Sequence, residues 1–148
     1  MTVIARTLKN LQVIIQADEH QLLADEPVRS GGDDQGPDPY ELLLSSLAAC
    51  KIITVHMYAR RKGWPVEAVT INLAHKKVLA QECDDCQSPP NVKVDVIDCE
   101  ISFEGDLDAA QIARLAEIAD RCPIHRTLTS ETKIRTLVVN RDNDDQGE

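Results

Sequence analysis

One segment of the chain, from Pro39 to Lys62, constrains the fold more than any other. It follows a loop rich in glycine, proline and aspartate, and it consists largely of strong helix formers. Asp38 can cap its first turn, Pro39 suits the first helical position, and Gly63 suits the stop. We therefore predict a single helix from Pro39 to Lys62, about 35 Å long at 1.5 Å per residue.

Nearly every face of this helix is apolar as far as Tyr58. The large apolar side chains that cannot share one stripe are Leu42, Leu43, Leu44, Leu47, Ile52, Ile53, Val55 and Met57. A helix that is apolar all round is buried on all sides. A chain of 148 residues forms one compact domain with little left to surround this helix. We therefore expect a second copy of the chain to cover the remaining face.

Three short segments rich in β-branched residues and leucine precede the helix. They are residues 2–8, 11–17 and 20–25. Because the residues between them suit tight turns, we predict a three-stranded meander. Residues 26–39 then form a loop, since glycine, proline and aspartate prevent a regular element from propagating there.

Two longer strands and a second helix are predicted after the long helix. Residues 66–80 alternate apolar and polar side chains, as a half-buried strand does. Residues 91–105 alternate as well, but the apolar positions change phase after Val96, which predicts a bulge or bend there. An amphipathic helix follows, beginning at the capping pair Asp108 and Gln111.

The chain is predicted to close with a strand over residues 133–140 and an acidic tail, residues 141–148, which we expect to be disordered. The order is strands, buried helix, strands, helix, strand. Such grouping is typical of α+β domains rather than of alternating βαβ units. We therefore predict one α+β domain over residues 1–140.

Charge and composition exclude several classes of function. The formal net charge is −9 and aromatic residues make up 3% of the chain, so nucleic acid would be repelled and would find few stacking partners. Lys51 and His56 interrupt the longest apolar run below membrane-spanning length, and the chain does not open with a signal-peptide pattern. We expect a soluble cytoplasmic protein with no nucleic-acid or membrane partner.

Five cysteines at irregular spacing do not suggest a disulfide framework. Cys50 lies in the apolar helix behind small residues, so it is either a small core residue or a sulfur with room for a substrate beside it. Cys122 precedes Pro123, which can begin a short helix. At that cap, backbone N–H groups and the nearby His125 and Arg126 favour a thiolate, although the Cys-Pro step could also be a simple kink.

The remaining cysteines give weaker indications. Cys83 and Cys86 form a C-x-x-C pattern on a predicted loop, and a zinc site there would need two further ligands, for example His75 and Cys99 or groups of a partner subunit. The aspartates between the two thiols oppose thiolate formation. We interpret the pattern as an ordinary loop, predict no metal or cofactor, and expect Cys99 to lie in the core.

The segments Gly36 to Cys50 and Ala119 to Leu128 resemble the paired signature of the OsmC/Ohr family of thiol-dependent hydroperoxidases. The resemblance extends over nearly the whole chain. It implies the OsmC-like fold, an intertwined homodimer in which long central helices pack between two curved antiparallel sheets. It also implies that Cys50 is the peroxidatic cysteine and Cys122 the resolving one, with a small organic hydroperoxide as substrate and an external dithiol as reductant.

The same resemblance indicates Arg29 as the cation that activates Cys50, since it lies 21 residues earlier in the loop. Family peroxidases hold that arginine with a glutamate directly after the helix-opening proline. Here Tyr40 occupies that place and Glu41 follows it. Arg29 could instead be a solvent-facing loop residue, and Glu41 could serve only the helix dipole. The alternative to a peroxidase is a non-enzymatic dimer of this fold that binds a small apolar or thiol-containing ligand.

Overall fold

The computed structural model describes residues 1–139. Its first three strands are β1 (Val3–Thr7), β2 (Val13–Ala17) and β3 (His20–Ala24). They pair antiparallel in the order β1-β2-β3, which confirms the predicted meander. Asn10 and Asp18 adopt positive φ angles at the two connections, a conformation that these side chains tolerate better than most.

The long helix α1 runs from Pro39 to Lys62, as its end signals predict. Asp38 and Glu41 form a capping box at its start, and Gly63 closes it in the left-handed conformation with φ 66°. Its buried side chains are Leu47, Lys51, Val55 and Ala59. They form a single stripe at a spacing of four residues, because one chain covers only one face of the helix.

The long strands β4 (Val66–Leu79) and β5 (Lys93–Gly105) form a two-stranded antiparallel ribbon. Its register is irregular between Val66 and Ala68 and continuous past Val96, so a bulge near Val96, one of the two predicted alternatives, is wrong. Val96 and its neighbour Ile97 are both half-buried. The change of phase therefore reflects partial cover on both faces of the ribbon and not an inserted residue.

Helices α2 (Ala109–Ala119) and α3 (Pro123–Thr129) complete the α+β architecture. Asp108 and Gln111 form the predicted capping box of α2. Helix α1 packs against β4, α2 and α3. The buried core cluster consists of Val55, Ala59, Leu115 and Ala119, with Trp64 and Phe103 packed against it. The α1–α2 contact thus fixes where α2 ends and where the next turn begins.

Residues 131–139 form no regular structure, so the strand predicted over residues 133–140 is wrong within the described part of the chain. Ile134, Leu137 and Val138 are almost fully exposed. A strand needs a neighbouring strand for its backbone hydrogen bonds, and this segment pairs with none in residues 1–139. Asn140 and the predicted tail, residues 141–148, lie outside the described residues.

Among residues 1–139, α1 is the one helix long and apolar enough to span a membrane by length and composition alone. It packs against β4, α2 and α3, as a core helix does. The side chain of Lys51, buried midway along it, forms an ion pair with Asp120. These contacts favour the expectation that α1 is a core helix.

Candidate active site

The fold brings Cys50 and Cys122 together. Cys50 is half-buried in the middle of α1, and Cys122 is fully buried at the turn between α2 and α3. Helix α1 packs against α2 and α3, the Cys50 thiol raises the pKa of the Cys122 thiol across this junction, and neither sulfur is part of a disulfide. Two sulfurs that are separated by 72 positions in sequence are therefore neighbours in space.

Cys122 occupies the cap position of α3, as the Cys-Pro step predicts. Its sulfur accepts a hydrogen bond from the backbone N–H of His125 at 3.3 Å. Burial has the largest effect and raises the pKa of the Cys122 thiol, and Cys50 raises it further. The His125 N–H and Lys51 lower it, but the pKa stays above its ordinary value. The cap geometry therefore does not by itself produce the thiolate that the sequence suggests, because desolvation dominates.

Lys51, next to Cys50, is a functional candidate that the sequence pattern does not reveal. It is 2% exposed. Its Nζ atom donates to Asp120 Oδ1 at 2.7 Å and to Ala119 O at 3.4 Å, and lies 3.1 Å from His125 Nδ1. An ammonium carries three N–H donors, and three acceptors surround this one. The one indication in the sequence was that a single lysine interrupts an otherwise apolar stretch of the predicted helix.

The structure does not bring Arg29 or Glu41 into contact with the cysteines. Arg29 is exposed on a 3-10 helix, Val28–Ser30, and forms no hydrogen bond or ion pair with residues 1–139. Glu41 Oε2 accepts the Asp38 N–H at 2.9 Å as part of the capping box. The activating roles inferred for both residues stay predictions.

The loop that carries Arg29 is organised by Asp25, which is buried. Its carboxylate accepts the backbone N–H groups of Glu26 at 2.8 Å, Asp33 at 3.2 Å and Gln35 at 3.1 Å. Burial alone would raise the pKa of Asp25, but these hydrogen bonds outweigh it and hold the pKa below its ordinary value. A charged Asp25 therefore fixes the start of the loop.

Tyr40 packs against β4 instead of facing the cysteines. Its ring stacks on that of His75, with centroids 4.5 Å apart. His75 Nε2 lies 2.8 Å from Asp95 Oδ1, and Lys77 binds the same oxygen at 2.7 Å. The hydrogen bonds from Lys77 and then His75 hold the pKa of Asp95 below its ordinary value. The residue in the family's glutamate position thus has a structural contact of its own.

Two cavities flank α1. The first, about 510 Å³, lies on the buried-stripe side, where its lining includes Tyr40, Leu47 and Lys51. The second, about 730 Å³, has a lining that includes Thr54 and Pro123. Thr54 Oγ1 donates to the Cys50 carbonyl at 2.7 Å, and Pro123 directly follows Cys122. The second cavity is therefore lined by residues close in the chain to both cysteines, and neither cysteine is part of its lining.

The other cysteines differ from expectation. Cys83 and Cys86 are joined by a disulfide in the connection between β4 and β5, where the sequence suggested an ordinary loop. The spacing of C-x-x-C permits such a short ring, and the bond uses both sulfurs that a metal would need. Cys99 is exposed and borders the first cavity, so its predicted place in the core is wrong.

Solved structures similar to this chain share its architecture. An OsmC-like protein from Mycoplasma pneumoniae is 20% identical, with a TM-score of 0.68 over 86% of each chain. An organic hydroperoxide resistance protein OsmC from Legionella pneumophila is 17% identical, with a TM-score of 0.61 over 86% of this chain and 87% of that one. An OsmC-like protein of unknown function from Vibrio cholerae is 16% identical, with a TM-score of 0.63 over 88% of this chain and 94% of that one.

Identities this low show a common fold, and they confirm the predicted OsmC-like fold class. A search of curated protein sequences finds no match. The profile of the family described as OsmC-like protein matches residues 31–137, which is more than half of the chain and includes both cysteine motifs. The chain therefore belongs to the OsmC-like (OsmC/Ohr) protein family.

Proposed function

We propose that this protein is a thiol-dependent peroxidase that reduces small organic hydroperoxides through Cys50 and Cys122, and that it serves in oxidative stress defence. The observation that carries the proposal is the packing of α1 against the α2–α3 turn, which makes Cys50 and Cys122 neighbours and which Lys51 and His125 join by hydrogen bonds. A solved relative in fold from Legionella pneumophila is an organic hydroperoxide resistance protein, which supports the same chemistry.

The first step is oxidation of Cys50. Its thiolate attacks the terminal oxygen of the hydroperoxide, an S–O bond forms, the O–O bond breaks, and the leaving alkoxide takes up a proton to become an alcohol. Cys122 suits the second role, because burial raises the pKa of its thiol and so disfavours its thiolate as the first nucleophile. Its sulfur then displaces hydroxide from the Cys50 sulfenic acid, and that hydroxide leaves as water.

The resulting disulfide needs an external reductant. A dithiol would attack one sulfur, form a mixed disulfide and then close its own ring, which returns Cys50 and Cys122 to thiols. No resident cofactor enters this scheme. The second cavity, lined by chain neighbours of both cysteines, offers a small hydroperoxide a surface that combines Met57 and Ile118 with four arginines.

We also propose that the protein works in the cytoplasm as a homodimer. Ile53 and Met57 are exposed on the face of α1 that the chain leaves uncovered, and so are Ile134 and Leu137 in the terminal segment. Apolar surface of this kind favours association. Sedimentation at micromolar concentration should give twice the 16.4 kDa chain mass, and a purely monomeric species would contradict the dimer.

Turnover of tert-butyl hydroperoxide with dithiothreitol tests the peroxidase proposal. The Cys50→Ser variant should lose activity, and Cys122→Ser treated with hydroperoxide in the absence of reductant should stop at a sulfenic acid that dimedone traps. Cys99→Ser is the matched control, because Cys99 is also a free thiol but lies on β5. If Cys50→Ser remains as active as the parent, the peroxidase proposal fails and ligand binding without turnover becomes the better account.

A further inference from the structure

The ammonium of Lys51 has an unusual position for a charged group. It is almost fully buried, although it directly follows Cys50 in sequence. A buried charge is costly unless it is paired and fully hydrogen-bonded. The acceptors that satisfy it all come from one short part of the chain, namely Ala119, Asp120 and His125.

The three residues that supply these acceptors flank Cys122 in the chain. Ala119 is the last residue of α2, Asp120 follows it, and His125 lies in the first turn of α3. His125 contacts Lys51 through its ring and Cys122 through its backbone N–H, at 3.1 Å and 3.3 Å. Lys51 thus joins the residue after Cys50 to the turn that presents Cys122.

Several charged or titratable groups face Cys122. Cys50 and Lys51 act on it from α1 and the His125 N–H donates to it from α3, whereas Asp120 faces Lys51 and the His125 ring. On β5, Cys99 lies near the same lysine and aspartate. Burial raises the pKa of the Cys122 thiol, and the positive charge of Lys51 opposes that rise. Arg29, in contrast, is exposed and forms no ion pair with residues 1–139.

We infer that Lys51 is a positioning residue that holds Cys122 against Cys50 and supplies the positive charge for the second, disulfide-forming step. The inference rests on the proposed peroxidase function. In that step the Cys122 thiol gives up its proton, the S–S bond forms, the S–O bond of the Cys50 sulfenic acid breaks, and hydroxide takes up a proton to leave as water. The Lys51 side chain, paired with Asp120, stabilises the transient Cys122 thiolate.

The test separates the two oxidation steps. The reduced protein receives one equivalent of tert-butyl hydroperoxide without reductant, and sulfenic acid and disulfide are followed separately between pH 6 and pH 9. In Lys51→Met the sulfenic acid should form and accumulate, and the disulfide should form about tenfold more slowly at pH 7 because the Cys122 thiolate loses a nearby positive charge. The deficit should shrink as pH rises, because more Cys122 ionises without help.

Controls distinguish this role from a general effect on the fold. Lys62→Met removes an exposed lysine from the last turn of the same helix and should leave both steps unchanged. If Lys51→Met does not fold, the double variant Lys51→Met/Asp120→Asn leaves no unpaired ion and carries the same expectation. A loss of packing alone would slow the disulfide step equally at every pH.

The outcomes separate the inference from the proposed function. If either variant forms the disulfide at the parental rate with the parental pH profile, or with a deficit that does not change with pH, the inference about Lys51 is overturned and the peroxidase stands. If the parent protein itself forms neither sulfenic acid nor disulfide, the proposed function fails, and the inference fails with it.

Discussion

The ion pair between Lys51 and Asp120 should respond unequally to the loss of its two members. The Lys51 side chain is 3% exposed and that of Asp120 is 68% exposed. Breaking a fully buried pair costs about 3 to 5 kcal/mol, and an exposed pair contributes about 0.2 to 1 kcal/mol. Because water reaches Asp120 but not Lys51, we expect Asp120→Ala to lower the free energy of unfolding by about 2 kcal/mol.

The reciprocal change should be milder. Lys51→Met returns Asp120 to water, removes the cost of burying an ammonium and keeps most of the apolar stem. We expect the free energy of unfolding to fall by less than about 1 kcal/mol, since apolar replacements of buried ions are often neutral. The double variant Lys51→Met/Asp120→Asn should be about as stable as Lys51→Met alone, because neither variant leaves a buried charge without a partner.

Urea unfolding at fixed protein concentration measures these differences. A loss of about 2 kcal/mol should also lower the Tm by roughly 6 to 8 °C in a domain of this size. The pair Lys76 and Asp98, with side chains 55% and 57% exposed, is the matched control, and Asp98→Ala should change stability by less than about 0.5 kcal/mol. The reasoning is refuted if Asp120→Ala costs no more than Asp98→Ala, or if Lys51→Met costs more than Asp120→Ala.

Three further predictions follow from packing, hydrogen bonding and cysteine pairing. Leu115→Ala should cost about 3 kcal/mol in urea unfolding because Leu115 is fully buried between α2 and α1, whereas Leu128→Ala, on an exposed site, should cost much less; similar costs would contradict the core assignment. The pKa of Asp25 lies below its ordinary 3.8, so its stabilisation is present above that pH and is lost as pH falls through the lower folded-state pKa. The Tm gap between the parent and Asp25→Asn should therefore close in acid, and a constant gap would argue against the charged form. Thiol titration of the unfolded, unreduced protein should count three free thiols, since Cys83 and Cys86 are joined; a count of five would contradict the disulfide.

The sequence predicts those parts of the fold that local chemistry determines. The bounds of α1 follow from Asp38, Pro39 and Gly63, because capping and the left-handed stop act within a few residues. The start of α2 follows in the same way from Asp108. The position of Cys122 as the cap of α3 could also be predicted, since Pro123 lacks an N–H and therefore suits the first position of a helix.

Other features depend on residues distant in the chain and could not be predicted from the sequence. No residue near Lys51 in the sequence indicates that it forms an ion pair with Asp120, 69 residues later. The terminal segment, residues 133–139, has the composition of a strand but pairs with no other strand among residues 1–139. Tyr40 gives no sign in sequence of its stacking on His75, and that contact explains why the residue does not point to the cysteines.

The central claim is that Cys50 and Cys122 form one redox pair, and peptide mapping of the oxidised protein tests it most directly. The reduced protein is treated with one equivalent of tert-butyl hydroperoxide, alkylated and digested without reductant. We predict a Cys50–Cys122 linked peptide in high yield, with Cys99 alkylated as a free thiol. Recovery of both Cys50 and Cys122 as alkylated thiols after the hydroperoxide treatment would contradict the account.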